Sequence, residues 1–255
     1  MIDFRRWIRR NRKFFSALGT ILIIVIVFAL VNDPAIVGVT AVKRSLPVYC
    51  VQREDKTVAL SFDAAWGNED TKKIIDIMEK YGVKTTFFVV GDWVKKYPES
   101  VRQLAEAGHE VMNHSLNHAH FSKLGENDII NDIEKCSELI KAQTGVKPTL
   151  FRCPYGEYDD HVIEAVRSIG MTPVQWDVDS LDWKEIPAGE IQSRVLKKIQ
   201  PGSIVLFHNA AKHTPEALPG IIESLQKDGY TIVPVSQLLL NGNYVIDHTG
   251  KQCPA

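Results

Sequence analysis

His114-Ser115-Leu116-Asn117-His118 sets two imidazoles four residues apart. One helical turn or a tight loop can point both rings the same way, and their nitrogens can then share a divalent cation. Taken alone, such a pair is as readily one core histidine and one surface histidine. Other runs add the remaining parts of hydrolytic chemistry. They are Ser61-Phe62-Asp63-Ala64-Ala65-Trp66-Gly67, Phe151-Arg152-Cys153-Pro154-Tyr155-Gly156, Trp176-Asp177-Val178-Asp179-Ser180-Leu181-Asp182-Trp183 and Leu206-Phe207-His208-Asn209. A carboxylate base, an imidazole acid and a cation together can cleave an amide, provided the chain brings them to one place.

The elements that would do so alternate regularly. Apolar, β-rich runs at 57–62, 85–90, 110–113, 149–151, 172–175, 203–207 and 230–233 predict seven strands. Runs with helical spacing at 69–80, 92–107, 128–144, 159–169, 188–199 and 215–227 predict the helices between them. Gly82, Gly108, Gly145, Gly170, Gly202 and Gly229 mark the joins. Nearly continuous apolar strands predict a parallel sheet covered by helices, as a barrel or as an open doubly wound sheet. In both, ligands bind at the carboxyl ends of the strands, where the loaded runs stand.

In order, S-F-D, H-S-x-x-H, R-x-P-Y-G, D-S-x-D-W and L-x-H resemble the five motifs of the NodB-homology polysaccharide deacetylases, carbohydrate esterase family 4. The resemblance covers roughly residues 55–240. The short N-terminal apolar run and the D-A-A-W-G form of the first motif look most like the PdaB-type sporulation deacetylases. The family resemblance implies a distorted (β/α)7 barrel that removes acetyl groups from N-acetylated sugars by metal-assisted hydrolysis. It implies Asp63 as general base, His208 as general acid, and Arg152 and Asp182 as their respective partners. It implies His114 and His118 as ligands of a divalent metal, Zn or Co. The Tyr155 backbone N–H would help hold the oxyanion, Trp183 and Leu206 would wall the acetyl pocket, and Asp179 opens the fourth motif.

One position departs from the family pattern. The usual second aspartate of the first motif, a metal ligand, is Ala64 here. Its methyl group donates no lone pair, so water would complete the coordination, with Glu69 or Asp70 as alternatives. Asn113 and Asn117 read as loop hydrogen bonders and His120 as a lining residue at most. His109, His161, His213 and His248 read as surface or structural.

The two ends frame this domain. Six basic residues among 1–13 (Arg5, Arg6, Arg9, Arg10, Arg12, Lys13) face one acid, Asp3, whereas the whole chain holds 30 basic and 31 acidic residues. The remainder is therefore mildly acidic, which argues against nucleic acid as the main partner. Residues 14–31 carry no charge and are long enough to span a bilayer as an uncleaved anchor, with the basic arm kept cytoplasmic. The expected plan is arm 1–13, transmembrane anchor 14–31, stalk 32–54, deacetylase domain 55–240 and tail 241–255. The domain then lies outside the membrane as a monomer that acts on a cell-wall or spore-wall glycan containing N-acetylglucosamine or N-acetylmuramic acid. Cys50 and Cys253 flank the domain and could bridge its ends; Cys136 and Cys153 lie inside it, and all four could equally be free.

Overall fold

The computed structural model describes residues 12–31 and 44–255. The chain divides into two units, Met1–Arg44 and Ser45–Ala255. In the first, α1 (Arg12–Val31) is helical, and its described side chains from 16 to 30 are exposed. Among the described residues, no helix is long and apolar enough to cross a membrane. Most of the basic arm and residues 32–43 of the expected stalk lie outside the described residues.

The second unit is built on β2 (Thr57–Ala64), all eight residues of which are buried. That burial needs cover on both faces, and alternation supplies it. Val58, Leu60, Phe62 and Ala64 belong to the large apolar cluster that includes helix residues Ile74, Met78 and Leu218. Ala59 belongs instead to a second cluster with Phe88, Met112, Leu150, Val174 and Ile204. Ser61 and Asp63 share the face of Ala59, so β2 carries its polar groups on one side only.

Parallel strands extend from β2 in both directions. They are β3 (Thr86–Val89), β4 (Glu110–Asn113), β5 (Leu150–Phe151) and β6 (Thr172–Pro173) on one side, and β8 (Ile204–His208) then β7 (Val178–Asp179) on the other. A further strand, β9 (Thr231–Ile232), pairs with the start of β2. The expected strands are present, most of them shorter than expected, and β7 is an addition. Two residues of β-structure in a mixed polar run give no period to read.

The helices α2 (Thr71–Lys80), α5 (Glu126–Thr144), α6 (Asp160–Ser168), α7 (Ala188–Lys198) and α8 (Thr214–Lys227) follow the expected runs. The helix expected over 92–107 is two, α3 (Gly91–Lys96) and α4 (Pro98–Glu106). Pro98 lacks an N–H and disfavours helical geometry at Tyr97, whose φ is −129°, so the first helix ends and Pro98 opens the second.

The sheet is curled and open between its outer strands β6 and β7. The segment expected to be the end of a stalk crosses this seam. Val48 bridges Val174, donating its N–H to the Pro173 carbonyl, and Cys50 bridges Ser203. The expected tail also belongs to the fold: β1 (Cys50–Val51), β11 (Lys251–Pro254) and β10 (Tyr244–Ile246) form a three-stranded sheet. Val48 and Val51 are buried, so their water-exposed alternative as a stalk is unfavourable. The ends of the domain are thus joined by a β-ladder, and all four cysteines are free thiols. Cys50 is opposite Lys251 in that ladder, two residues away from Cys253.

Gly202 shows how tightly the seam is closed. Its φ is +83°, and a Cβ there would overlap the Val51 carbonyl oxygen, which is backbone and cannot yield. Gly202→Ala is expected to cost more than about 2 kcal/mol. A thermal melt should then show Tm lowered by at least ~5 °C.

Candidate active site

Parallel pairing places Asp63 opposite His208 in the register of β2 and β8. Both stand at the carboxyl end of the sheet. Each has one fixed partner of opposite character.

Arg152, at the end of β5, lies fully buried inside the curl. It donates through Nη1 to Asp63 Oδ1 at 2.7 Å and through Nη2 to Ser61 Oγ at 2.9 Å and the Gln175 carbonyl at 3.1 Å. Its guanidinium carbon sits 4.0 Å from the centre of the Phe88 ring. Burial pushes the Asp63 carboxyl up, but Arg152, His114 and His208 outweigh it and hold it below the usual carboxylate range. The group is an anion at neutral pH.

Asp182, in the short 3-10 turn Asp182–Lys184 (182–184), grips His208 at two points. Its Oδ1 lies 2.8 Å from His208 Nδ1, and its Oδ2 accepts the His208 backbone N–H at 2.8 Å. The Thr214 hydroxyl donates to Oδ2 at 2.6 Å and the Trp183 N–H to Oδ1 at 2.9 Å, so the carboxylate cannot swing away. Burial lowers the imidazole pKa, but the Asp182 bond and charge overcome this and raise it above its ordinary value. Asp182 also fixes the proton on Nδ1, which leaves Nε2 as the second, reactive nitrogen.

The histidine pair sits in the loop after β4. Ser115 and His118 have φ of 75° and 59°, a costly conformation for residues with a Cβ. Side chains hold it. The Asn113 amide donates to the Ile133 carbonyl and Ser137 and accepts from the Ser115 N–H; Asp132 accepts from Leu116 N–H; Ser115 Oγ accepts from His118 N–H. Asn113 is thus the loop hydrogen bonder expected. Burial lowers the pKa of both rings, that of His118 to about 4, with His114 adding to the effect there. Both are neutral at pH 7, the form that ligates metal.

His114 Nδ1 meets the Arg152 carbonyl at 2.8 Å, which leaves its Nε2 lone pair free, 3.4 Å from Asp63 Oδ2. His118 Nδ1 is buried without a partner, and the two rings stand 5.1 Å apart. These neutral nitrogens and the orphaned donor fit a divalent cation through two ligands. Among the described residues no group of three or more His, Cys, Asp or Glu is set to hold a metal ion. Ala64 is buried with the helix-side cluster and does not border the cleft. The alternatives Glu69 and Asp70 do not replace it. Glu69 accepts from Asn68 N–H and Asp70 from Ala210 N–H, and neither lines the cleft.

These groups floor a cleft of about 420 Å³. Its walls include Tyr155, Asp179, Trp183 and Leu206, all expected, and also Ala65, Trp66, Gly156 and Trp176, which were not assigned to the site. Their signal was present, since all four stand in the loaded strand-end runs. Tyr155, at φ 59°, packs edge-on to His118 and stacks on His120. Asp177 accepts from Ser203 Oγ and Ile204 N–H at the start of β8 and does not line the cleft. His120 pairs with Glu157 outside the cleft lining; His109 is buried against Phe87, and His161 and His213 pair with Asp159 and Glu216.

The family model described as polysaccharide deacetylase matches residues 51–174. The uncharacterized protein YlxY of Bacillus subtilis is 36% identical over 193 residues, which cover 76% of this chain and 60% of that protein. The peptidoglycan-N-acetylmuramic acid deacetylase PdaA of Bacillus subtilis is 30% identical over 195 residues, covering 75% of this chain and 74% of that protein. Against PgdA of Listeria monocytogenes the chain spans 39% of the relative's length. Among solved structures, BA3943 of Bacillus anthracis, a CE4 family pseudoenzyme, superposes with a TM-score of 0.74 at 33% identity, covering 83% of this chain and 74% of that one. A BA3943 mutant with restored enzymatic activity gives 0.74 at 36% identity, covering 76% and 71%. Sequence and backbone agree, and the chain belongs to the polysaccharide deacetylases of carbohydrate esterase family 4.

Proposed function

We propose that the protein is a peptidoglycan N-deacetylase that hydrolyses the acetamide of N-acetylglucosamine or N-acetylmuramic acid residues. The observation that carries this reading is Asp63 opposite His208 on adjacent strands, each held by its own partner of opposite charge. The peptidoglycan-deacetylase names of its relatives support the substrate class. Asp63 takes a proton from the attacking water as its oxygen adds to the carbonyl carbon. The Tyr155 backbone N–H faces the resulting oxyanion, and Leu206 and Trp183 enclose the methyl group. His208, whose pKa is raised by Asp182, gives its Nε2 proton to the leaving nitrogen as the C–N bond breaks. A carboxylate held below its usual range is a weak base, and a cation held by His114 and His118 would acidify the water it must deprotonate. Residues 45–255 with added Zn²⁺ or Co²⁺ should release acetate from peptidoglycan or an N-acetylglucosamine oligomer. No release by a folded sample would remove the reading.

The activity should rise with pH as Asp63 ionises, below the usual carboxylate range, and fall as His208 loses its proton, above the ordinary imidazole value. Asp182→Asn removes the charge that raises His208. The alkaline limb of kcat/KM is therefore expected to move to lower pH, which a pH–rate profile reads directly.

A second reading, a catalytically degenerate protein that binds glycan or a wall-assembly partner, is favoured by Ala64 and by the pseudoenzyme among the structural neighbours. If Asp63→Asn and His208→Ala both complement a deletion fully, this reading replaces the first. The proposed setting is a monomer anchored in the cell membrane through residues 14–31, with the domain outside and, by its likeness to PdaB-type proteins, a role at the spore envelope. The uncharged apolar run 14–31 behind a basic arm is the sequence feature that motivates the anchor. Full-length protein should sediment with membranes and resist extraction by high salt.

A further inference from the structure

The three most exposed aromatic side chains of the second unit gather around one opening. Trp66, Tyr155 and Trp183 are 63%, 58% and 56% exposed, and all three border the cleft. Tyr155 and Trp183 already have places in the hydrolytic reading. Trp66 has none. A ring so exposed leaves a large apolar surface in water, and a rimmed apolar surface at a cleft marks a place where something binds.

Trp66 is also built to stay where it is. Gly67 turns the chain beneath it at φ +57°, where a Cβ would overlap the Ala210 methyl. The Gly67 carbonyl accepts from Trp93 Nε1 at 2.6 Å and from the Asn209 side-chain amide at 3.0 Å. Trp93 is buried, and Asn209 directly follows His208, so the loop is pinned to the core and to the acid-bearing strand. The Trp66 ring meets His118 edge-on, with centroids 4.9 Å apart. This contact fixes the ring on one side, and its exposed surface remains for a ligand.

We infer that Trp66 is a sugar-stacking platform that takes a pyranose next to the one being deacetylated, so that the site prefers an extended glycan to a single sugar. This rests on the deacetylase reading of the cleft. A pyranose offers an apolar face of C–H groups while its hydroxyls point outward from the ring edge. Stacking on indole buries that face and leaves the hydroxyls hydrated, so no polar group is orphaned. The reacting sugar must lower its acetamide to Asp63 and His208 on the cleft floor. Trp66, on the rim beside His118, is placed for a neighbour along the chain.

The test is calorimetric binding of N-acetylglucosamine and of its tetramer to the full chain and to Trp66→Ala and Trp66→Phe. The wild-type protein should bind the tetramer more tightly than the monomer. Trp66→Ala should reduce that preference about 3- to 10-fold, and Trp66→Phe should restore part of it. Circular dichroism of each variant checks folding, and Trp66→Phe keeps the test open if the alanine variant unfolds. Wild-type preference retained in full by Trp66→Ala overturns the platform alone. Wild-type protein that binds neither the tetramer nor peptidoglycan fragments overturns the reading of the cleft, and the platform with it.

Discussion

Asp63→Asn is expected to lower acetate release about 10²- to 10⁴-fold, the usual contribution of a general base. The same change should also destabilise the protein, and the two effects can be separated. Arg152 is fully buried, and among the described residues Asp63 is its only carboxylate partner. Neutralising Asp63 leaves the guanidinium inside the curl against Phe88 and Trp176, with the Ser61 hydroxyl and the Gln175 carbonyl as its remaining partners. Breaking such a pair typically costs about 3–5 kcal/mol, chiefly because the surviving charge is uncompensated. Replacing both partners removes that cost. Asp63→Asn with Arg152→Met should therefore recover much of the lost Tm and none of the lost activity. If the double variant regained acetate release, Asp63 would be a structural counter-ion, and the hydrolytic base would have to be sought elsewhere. If the single variant kept near-normal activity at wild-type Tm, both roles would fall.

The parts of this site that could be read from sequence share one property. Asp63, His114, Arg152 and His208 each stand at the end of an apolar run, and their strands are neighbours or near neighbours in a parallel sheet. Knowing where each strand ends was enough to predict where the side chain would be. What could not be read depends on partners far apart along the chain. Val48 and Cys50 look like linker residues until Val174 and Ser203 are beside them, and Tyr244–Ile246 has no partner until β11 folds back. Nothing in residues 32–54 alone carries the period of a strand. The break at Pro98 was visible in principle, and the periodic apolar residues on both sides concealed it. Trp66 was missed for another reason: its value lies in remaining exposed, and periodicity reports only what is buried.

Ala64→Asp is the change with the largest expected gain. The backbone at this position is already set: β2 pairs with β3 through Ala64, opposite Val89, and the residue immediately follows the base. Without metal, a carboxylate here replaces a methyl group in a fully buried apolar cluster, so Tm should fall as the charge is desolvated. With metal, the carboxylate would join the neutral nitrogens of His114 and His118 and supply the donor that the present group lacks. Loss of even an outer partner of a metal ligand changes affinity about 10- to 100-fold, so gain of a direct oxygen ligand should raise affinity at least that much. Two quantities then move in opposite directions. The metal-free variant should melt below the wild-type protein, and added Zn²⁺ should raise its Tm by more than it raises the wild type's, because ligand stabilisation grows with [L]/Kd. Acetate release at limiting Zn²⁺ should rise with metal content. A variant that loses Tm and binds Zn²⁺ no better would show that residue 64 stays on the helix side of β2. The two-histidine site would then be complete as it stands.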